Sequence, residues 1–499
     1  MKLKKIYLNA PYLFIFFIIL LMSYSQSSLA QEPLTLERSL EIAIANSPSI
    51  KHLEFNIEQN RQLLNARNAS LKSQFSFTIN PYSYRNVREF DDKLGWNSSK
   101  TKESFGIFTI AQPIKWTDGT LALKNDLGWR DSYSEFKKKI GTDPYEKTFS
   151  NNLYLSFTQP IFTYNRTKLE LGELNLNYEN AGISYAIQKL NLEYQVTQNF
   201  FSVYQQKMRL EIVKDEFHNR DQSYQIIKNK VDAGLSAKEE LYQAELDLAK
   251  SKSTVQNTQV ELDNLLDAFK QLIGLSLFMD ITVTADVSHQ PVEVELQKAL
   301  DNGLKYRMEL RQSQIDIERA QYELIRRSAT NEFKGDITFS LGVIGENEKI
   351  KQIYDISNTN QQVALSLNIP IWDWGEKKST IMASEANVKN SELSLEDEQK
   401  KIIIEIRRTY RNLKNLVNQI EIAEQNVRNA QLTYDINLER YKNGDLTSMD
   451  LNLIQNQLSN AKLEKIRALI NYKVELLNMK VLSLWDFERN QRVVPEGIE

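Results

Sequence analysis

Cysteine is absent from the 499 residues. That excludes a disulfide scaffold, a thiol nucleophile, a thiolate metal site and a lipid-anchored N-terminal cysteine. Histidine is nearly absent: His52, His218 and His289 lie far apart, without ligand spacing. A metalloenzyme or histidine-based hydrolase is not expected, and neither a cofactor nor a metal is. Glycine (16) and proline (10) are scarce, against usual shares of about 7% and 5%. Turns are therefore few and the elements between them long. No proline falls between Pro160 and Pro291, or between Pro370 and Pro495. Two such windows without a helix breaker point to long helices. Charge of one sign is also missing, with 62 basic residues against 65 acidic, so no basic footprint for nucleic acid is present.

Long apolar runs are missing except at the start. Lys2, Lys4 and Lys5 precede the apolar stretch Tyr12 to Met22, and Ser28-Leu29-Ala30 offers small residues before Gln31. This is the three-part pattern of a cleaved secretion signal over residues 1–30. Its removal takes three lysines and no acid, leaving 59 − 65 = −6. No later run is long enough to cross a bilayer as a helix, so a membrane part has to be built from strands.

Self-comparison shows two related halves. An offset of 210 pairs Pro160-Ile161 with Pro370-Ile371, Gly234 with Gly444, Glu240 with Asp450 and Leu241 with Leu451. It also pairs two seven-residue ladders, Val196, Val203, Leu210, Phe217, Tyr224, Val231 and Ile406, Leu413, Ile420, Val427, Tyr434, Tyr441. Upstream an offset of 260 pairs Leu36 with Leu296, Ile50 with Leu310 and Ile57 with Ile317. The difference, 260 − 210 = 50, assigns 50 additional residues to the first half, within 75–148.

Each half reads as helix, strands, long helix, tight turn, helix. The first (31–273) has a helix over 36–73, a β region over 75–163, a long helix over 166–232, a tip at 233–236 and a return helix over 236–273. The second (296–480) has a helix over 296–330, a β region over 335–372, a long helix over 376–442, a tip at 443–447 and a return helix over 448–480. Residues 274–295 and 481–499 are left as small side elements. Within the first β region, 104–133 reads as an additional hairpin turning at Thr117-Asp118-Gly119. It either extends the loops or adds strands, and symmetry between the halves favours the loops. A helix of 67 residues spans about 100 Å, and its seven-residue apolar period calls for supercoiling against a partner. The partner is the return helix, with Leu241, Leu248, Val255, Leu262 and Phe269 at sevens and small Ala244, Ser251 and Thr258 between them. Ser236 to Glu239 and Thr447 to Asp450 read as capping boxes after the tip glycines.

The secretion signal, the two ordered copies, the Pro-Ile strand ends and the glycine-marked tips together resemble the TolC family of outer membrane efflux proteins, over about 34–488. The resemblance implies a mainly α fold with a β-barrel part. Long coiled-coil hairpins of three chains would form an α-barrel, capped by a 12-stranded transmembrane β-barrel with four strands per chain. Residues 274–295 and 481–499 would form an equatorial belt. It further implies a non-enzymatic exit duct of a tripartite efflux pump or type I secretion system, in the outer membrane of a Gram-negative bacterium and extending into the periplasm. Its partners would be two further copies of itself, outer membrane lipid, a periplasmic adaptor (membrane fusion protein) and an inner-membrane transporter. The competing reading is a periplasmic coiled-coil scaffold without a pore, which leaves the paired strand regions unexplained.

Family members narrow the tunnel near the hairpin tips with acidic rings and tyrosine tethers. By position, Asp450 matches the inward aspartate and Glu240, beside Glu239, its counterpart. Tyr441 matches the tether tyrosine. Leu446 and Leu453 stand where the family carries an arginine and a second aspartate. Acids in a first helical turn equally serve the helix dipole, and a heptad tyrosine equally serves packing. Gly234, Gly444, Ser236 and Thr447 would form the turns that dock an adaptor. Pro160, Ile161, Pro370, Ile371 and Trp372 mark the strand–helix junctions, with Trp372 also a candidate for an interfacial aromatic girdle.

Overall fold

The computed structural model describes residues 33–287, 291–355 and 357–493. The expected secretion signal lies outside the described residues, as do short pieces of the two side elements. The helices are α1 (Leu36–Asn46), α2 (Pro48–Ser70), the short α3 (Glu135–Lys139), α4 (Arg166–Asp232), α5 (Lys238–Ile273), α6 (Leu296–Tyr306), α7 (Met308–Ser328), α8 (Glu376–Asn443) and α9 (Ser448–Ser483). The strands are β1 (Gln74–Asp91), β2 (Gly95–Ile114), β3 (Gly119–Ser134), β4 (Tyr145–Ile161), β5 (Lys334–Asn347), β6 (Ser357–Asn368) and the two-residue pair β7 (Trp485–Asp486) and β8 (Gln491–Arg492). No described helix is long and apolar enough to cross a membrane.

The chain divides into two compact units. Of the described residues, one holds those up to Lys51, those within Gln188–Lys305 and those from Ile403 on; the other holds His52–Ile187 and those within Tyr306–Ile402. In the first unit the early rungs of both ladders are buried: Val196, Val203 and Leu210, and Ile406, Leu413 and Ile420. Ala244, Ser251 and Thr258 are buried too, and their small size lets α5 come close enough for Gln206 of α4 to donate to the Thr258 carbonyl at 3.2 Å. Phe200 and Phe269 meet edge to face at 6.1 Å in the same seam. In the second unit α7 lies along α4. Arg311 forks onto Glu179 at 2.6 and 2.9 Å, and Arg319 donates to Asn177 at 2.8 Å. Gly172 leaves space for the Tyr322 ring, whose hydroxyl lies 2.8 Å from where a Cβ would stand.

Two expectations need correction. The helices read over 36–73 and 296–330 are each broken once, at Ser47 and Arg307. Both residues leave helical geometry, with ψ 123° and 128°, and they are partners at the 260 offset (47 + 260 = 307). Pro48 explains the first break, since a residue before proline avoids the α region. Arg307 precedes no proline; its side chain turns onto Glu309 at 2.6 Å, forming an ion pair where the chain bends.

The second correction concerns the sheet. Four strands were expected from each chain, with loop favoured over added strands for 104–133. Instead β1 to β6 form one six-stranded antiparallel sheet in sequence order. Residues 104–133 form parts of β2 and β3 and the turn between them, and the two strands pair without interruption from Ser99↔Ser134 to Ile114↔Gly119. The reason is local. The turn joining β2 to β3 is pinned to the start of α4: Asn165 Nδ2 donates to the carbonyls of Lys115 and Trp116, each at 2.9 Å, and the Thr167 hydroxyl donates to Asp118. A turn held at the helix junction requires both strands to run the full height of the sheet.

Candidate functional site: the strand–helix junction and the helical tips

Both tips are built alike. Gly234 and Gly444 take the left-handed conformation, φ 74° and 89°. Gly234 N donates to Val231 O at 3.0 Å and Leu235 N to Lys230 O at 2.7 Å. Gly444 N to Tyr441 O (3.1 Å) and Asp445 N to Arg440 O (2.9 Å) repeat the arrangement. These are Schellman closures, which satisfy carbonyls that a helix end would leave bare. The two caps then differ. Thr447 accepts from Asp450 N at 3.2 Å, and its hydroxyl donates to the Asp450 carboxylate at 2.6 Å. On the other tip Ala237, not Ser236, occupies the N-cap, without a side-chain bond. The Ser236 hydroxyl instead donates to the Glu240 carboxylate. The box expected there is not formed because the helix starts one residue later.

Tyr441 is the buried member of the tip group, 4% exposed, and its hydroxyl has no hydrogen-bond partner. Burial, and then the charge of Glu240, push its phenol above the ordinary value. The Lys230 ammonium lies 5.4 Å from the ring centre, a cation–π contact. Tyr441, Glu240 and Lys230 are thus neighbours. Glu239, Glu240 and Asp450 are exposed, with Asp450 engaged by its own cap. Leu235 and Met449 also stand exposed.

At the junction, Pro160 and Ile161 end β4 opposite Asp336 and Gly335. Pro370, Ile371 and Trp372 lie beyond β6, in an exposed link to α8. Trp372 and Trp374 meet edge to face at 5.7 Å. Asp373 closes the link, accepting from Gly375 N at 3.0 Å and Lys377 N at 3.1 Å. Backbone donors of this kind hold its carboxyl below the ordinary value.

A third Pro-Ile end was missed in the sequence: Gln112-Pro113-Ile114 at the end of β2. It copies Gln159-Pro160-Ile161 in structure as well. Each glutamine amide donates to the carbonyl of the proline that follows it, at 2.8 Å in both cases. Each also reaches a neighbouring carbonyl, Leu71 at 2.9 Å and Thr117 at 2.6 Å. The repeated Gln-Pro-Ile, 47 residues apart, was the available signal for an additional wall strand.

Register places the alternating side chains on two unlike faces. Phe75, Phe77, Ile110, Leu121, Leu123, Leu155, Phe157, Phe339, Leu341, Val363 and Leu365 share one face. Ser76, Thr78, Thr109, Lys124, Ser156, Thr338, Ser340 and Gln362 share the other. A band apolar on one side and polar on the other is the pattern of a membrane barrel wall.

A sheet of this kind joined to paired helices of 67 and 68 residues defines a class, the TolC-like outer membrane channel fold. Residues 299–482 match the family described as Outer membrane efflux protein. Outer membrane protein TolC of Escherichia coli (strain K12) is 27% identical over 233 residues, 44% of this chain and 46% of TolC. The match thus spans about half the length of that relative. Among solved structures, the Campylobacter jejuni CmeC outer membrane channel superposes with TM-score 0.69 at 14% identity, covering 93% of this chain and 87% of that one. The outer membrane protein VceC of Vibrio cholerae gives 0.65 at 14% identity, covering 90% and 96%. The chain thus has a TolC-like fold, and residues 299–482 are similar in sequence to the outer membrane efflux proteins.

Proposed function

We propose that this protein is a passive exit duct: three copies form a channel through the outer membrane, coupled by a periplasmic adaptor to an inner-membrane transporter that supplies the energy. A tripartite efflux pump and a type I secretion system both use such a duct. The observation that carries the reading is the two-faced sheet continuous in sequence with two long helices, each ending in the same glycine turn. Strands with open edges do not persist in lipid, so the sheet needs copies of itself. The tips, with Gly234, Ser236, Gly444 and Thr447, are the docking points for the adaptor's helices. Glu240 and Asp450, repeated in three copies, place six carboxylates around the tunnel's narrow end, where mutual repulsion favours cations. Trp372 and its neighbours sit at the inner bilayer boundary. Fractionation of cells tests the reading: heat-resistant trimers in the outer membrane and loss of export on deletion are expected. A soluble periplasmic monomer would refute it.

A further inference from the structure

We propose that the ring formed by three copies is an eighteen-stranded barrel, closed by β1 of each copy against β6 of the next. This rests on the trimeric duct reading and goes beyond it. All six strands qualify as wall. The mainly apolar face extends from Phe75 and Phe77 on β1, across β2 to β5, to Val363 and Leu365 on β6, with Gln112, Asn125 and Gln361 among its polar members. The β2–β3 turn is pinned at the α4 start, and β2 ends in the same Gln-Pro-Ile clamp as β4. The β1–β2 and β3–β4 hairpins are therefore equivalent wall units and neither is an external loop.

The sheet also carries the slip that a barrel needs. One row perpendicular to the strands runs Phe75, Ile110, Leu123, Leu155, Leu341, Gln361. Phe75 is one residue from the start of β1 at Gln74, and Gln361 is 368 − 361 = 7 from the end of β6 at Asn368. The slip is 7 − 1 = 6 residues over five pairings. At roughly 3.3 Å rise and 4.8 Å spacing this gives a tilt of about 40°, inside the range of outer membrane barrels. Eighteen strands at that tilt close at a backbone diameter of about 36 Å, against about 24 Å for twelve. A ring of this size leaves an aqueous bore, so the wall itself imposes no filter on small-molecule or extended polypeptide cargo.

The edges fit one another. Phe75 and Val363 are 67% and 72% exposed, whereas Leu155 within the sheet is 45% exposed. Their outer flanks lack only a neighbouring strand, and both edges present apolar and polar residues at matching heights above the junction.

The natural absence of cysteine makes the test direct. Thr78→Cys is combined with Ala364→Cys or with Ser366→Cys, the two registers that keep the faces aligned, and Ala122→Cys with Ser366→Cys marks a β3–β6 seam instead. After oxidation of outer membranes, covalent trimers from one of the Thr78 pairs are expected. Trimers from the Ala122 pair alone would overturn the eighteen-stranded ring, set β1 and β2 outside the wall and leave the trimeric duct standing. No covalent product from any pair would remove the ring and the duct reading together. Electron microscopy of the unmodified purified complex gives an independent reading: a wall near 36 Å supports the proposal and one near 24 Å overturns it.

Discussion

Alanine at Gly234, Gly444 and Gly274 separates backbone strain from crowding. All three residues close a helix in the left-handed conformation, with φ 74°, 89° and 72°, and Gly274 repeats the closure through Gly274 N to Gln271 O and Leu275 N to Lys270 O. That conformation costs a residue with a Cβ about 1–2 kcal/mol. A Cβ at Gly234 or Gly444 meets nothing within 4 Å, so the backbone term stands alone there. At Gly274 it would fall 2.8 Å from Asn46 Cβ and 3.1 Å from the Asn46 carbonyl oxygen, adding an overpacking cost of roughly 1–3 kcal/mol. Gly234→Ala and Gly444→Ala should each lower stability by about 1–2 kcal/mol, and Gly274→Ala by about 2–5 kcal/mol. Asparagine, which tolerates the left-handed region, should recover much of the loss at the two tips and little at Gly274. Urea unfolding of the purified protein in detergent gives the totals, and amide hydrogen exchange next to each turn gives the local share. Equal losses at all three positions, or the smallest at Gly274, would refute the reasoning.

Further outcomes follow from other contacts. Tyr441→Phe removes a buried hydroxyl without a partner, so stability should hold or rise by up to about 1 kcal/mol, whereas Tyr441→Ala should cost about 3–5 kcal/mol; a clear loss with phenylalanine in urea unfolding would show that the hydroxyl is bonded. Asp450→Ala with Glu240→Ala should raise single-channel conductance or weaken block by multivalent cations in planar bilayers, and unchanged behaviour in both would remove the acidic ring. Burial opposes ionisation of Glu309, but the Arg307 fork outweighs it and holds the carboxyl below its ordinary 4.5. Its contribution is therefore full above that value and is lost as pH falls through the lower folded value. Arg307→Met should cost about 2 kcal/mol at pH 7 and progressively less as pH falls below the ordinary carboxyl value, and a pH-independent loss would contradict the assignment.

The helical part was the more legible. The seven-residue ladders place Val203 and Ile406 in the seam, and Gly234 and Gly444, each followed by a fresh helix start, mark the turns. The β part was less legible because alternation over residues 75–133 is diluted by glycine, serine and charged residues. Those residues are tolerated on the polar face and at the strand ends, so a strand of the wall resembles a loop when read alone. Symmetry between the halves then misled, because it set a prior of two strands each, while Gln112-Pro113-Ile114 carried the contrary signal. The bend at Arg307 was not legible at all, since no breaker residue stands there and the ion pair with Glu309 has no sequence signature. At the tips, the glycines and Thr447 were readable, but the contact of Lys230 with the Tyr441 ring depends on pairing between distant helices.

Spin labels on single cysteines from Leu153 to Thr158, in protein reconstituted into liposomes, test the membrane assignment most directly. Labels at Leu153, Leu155 and Phe157 should be relaxed by oxygen dissolved in lipid, and those at Tyr154, Ser156 and Thr158 by a water-soluble paramagnetic complex. A uniform response to the aqueous reagent along this stretch would contradict a lipid-embedded wall.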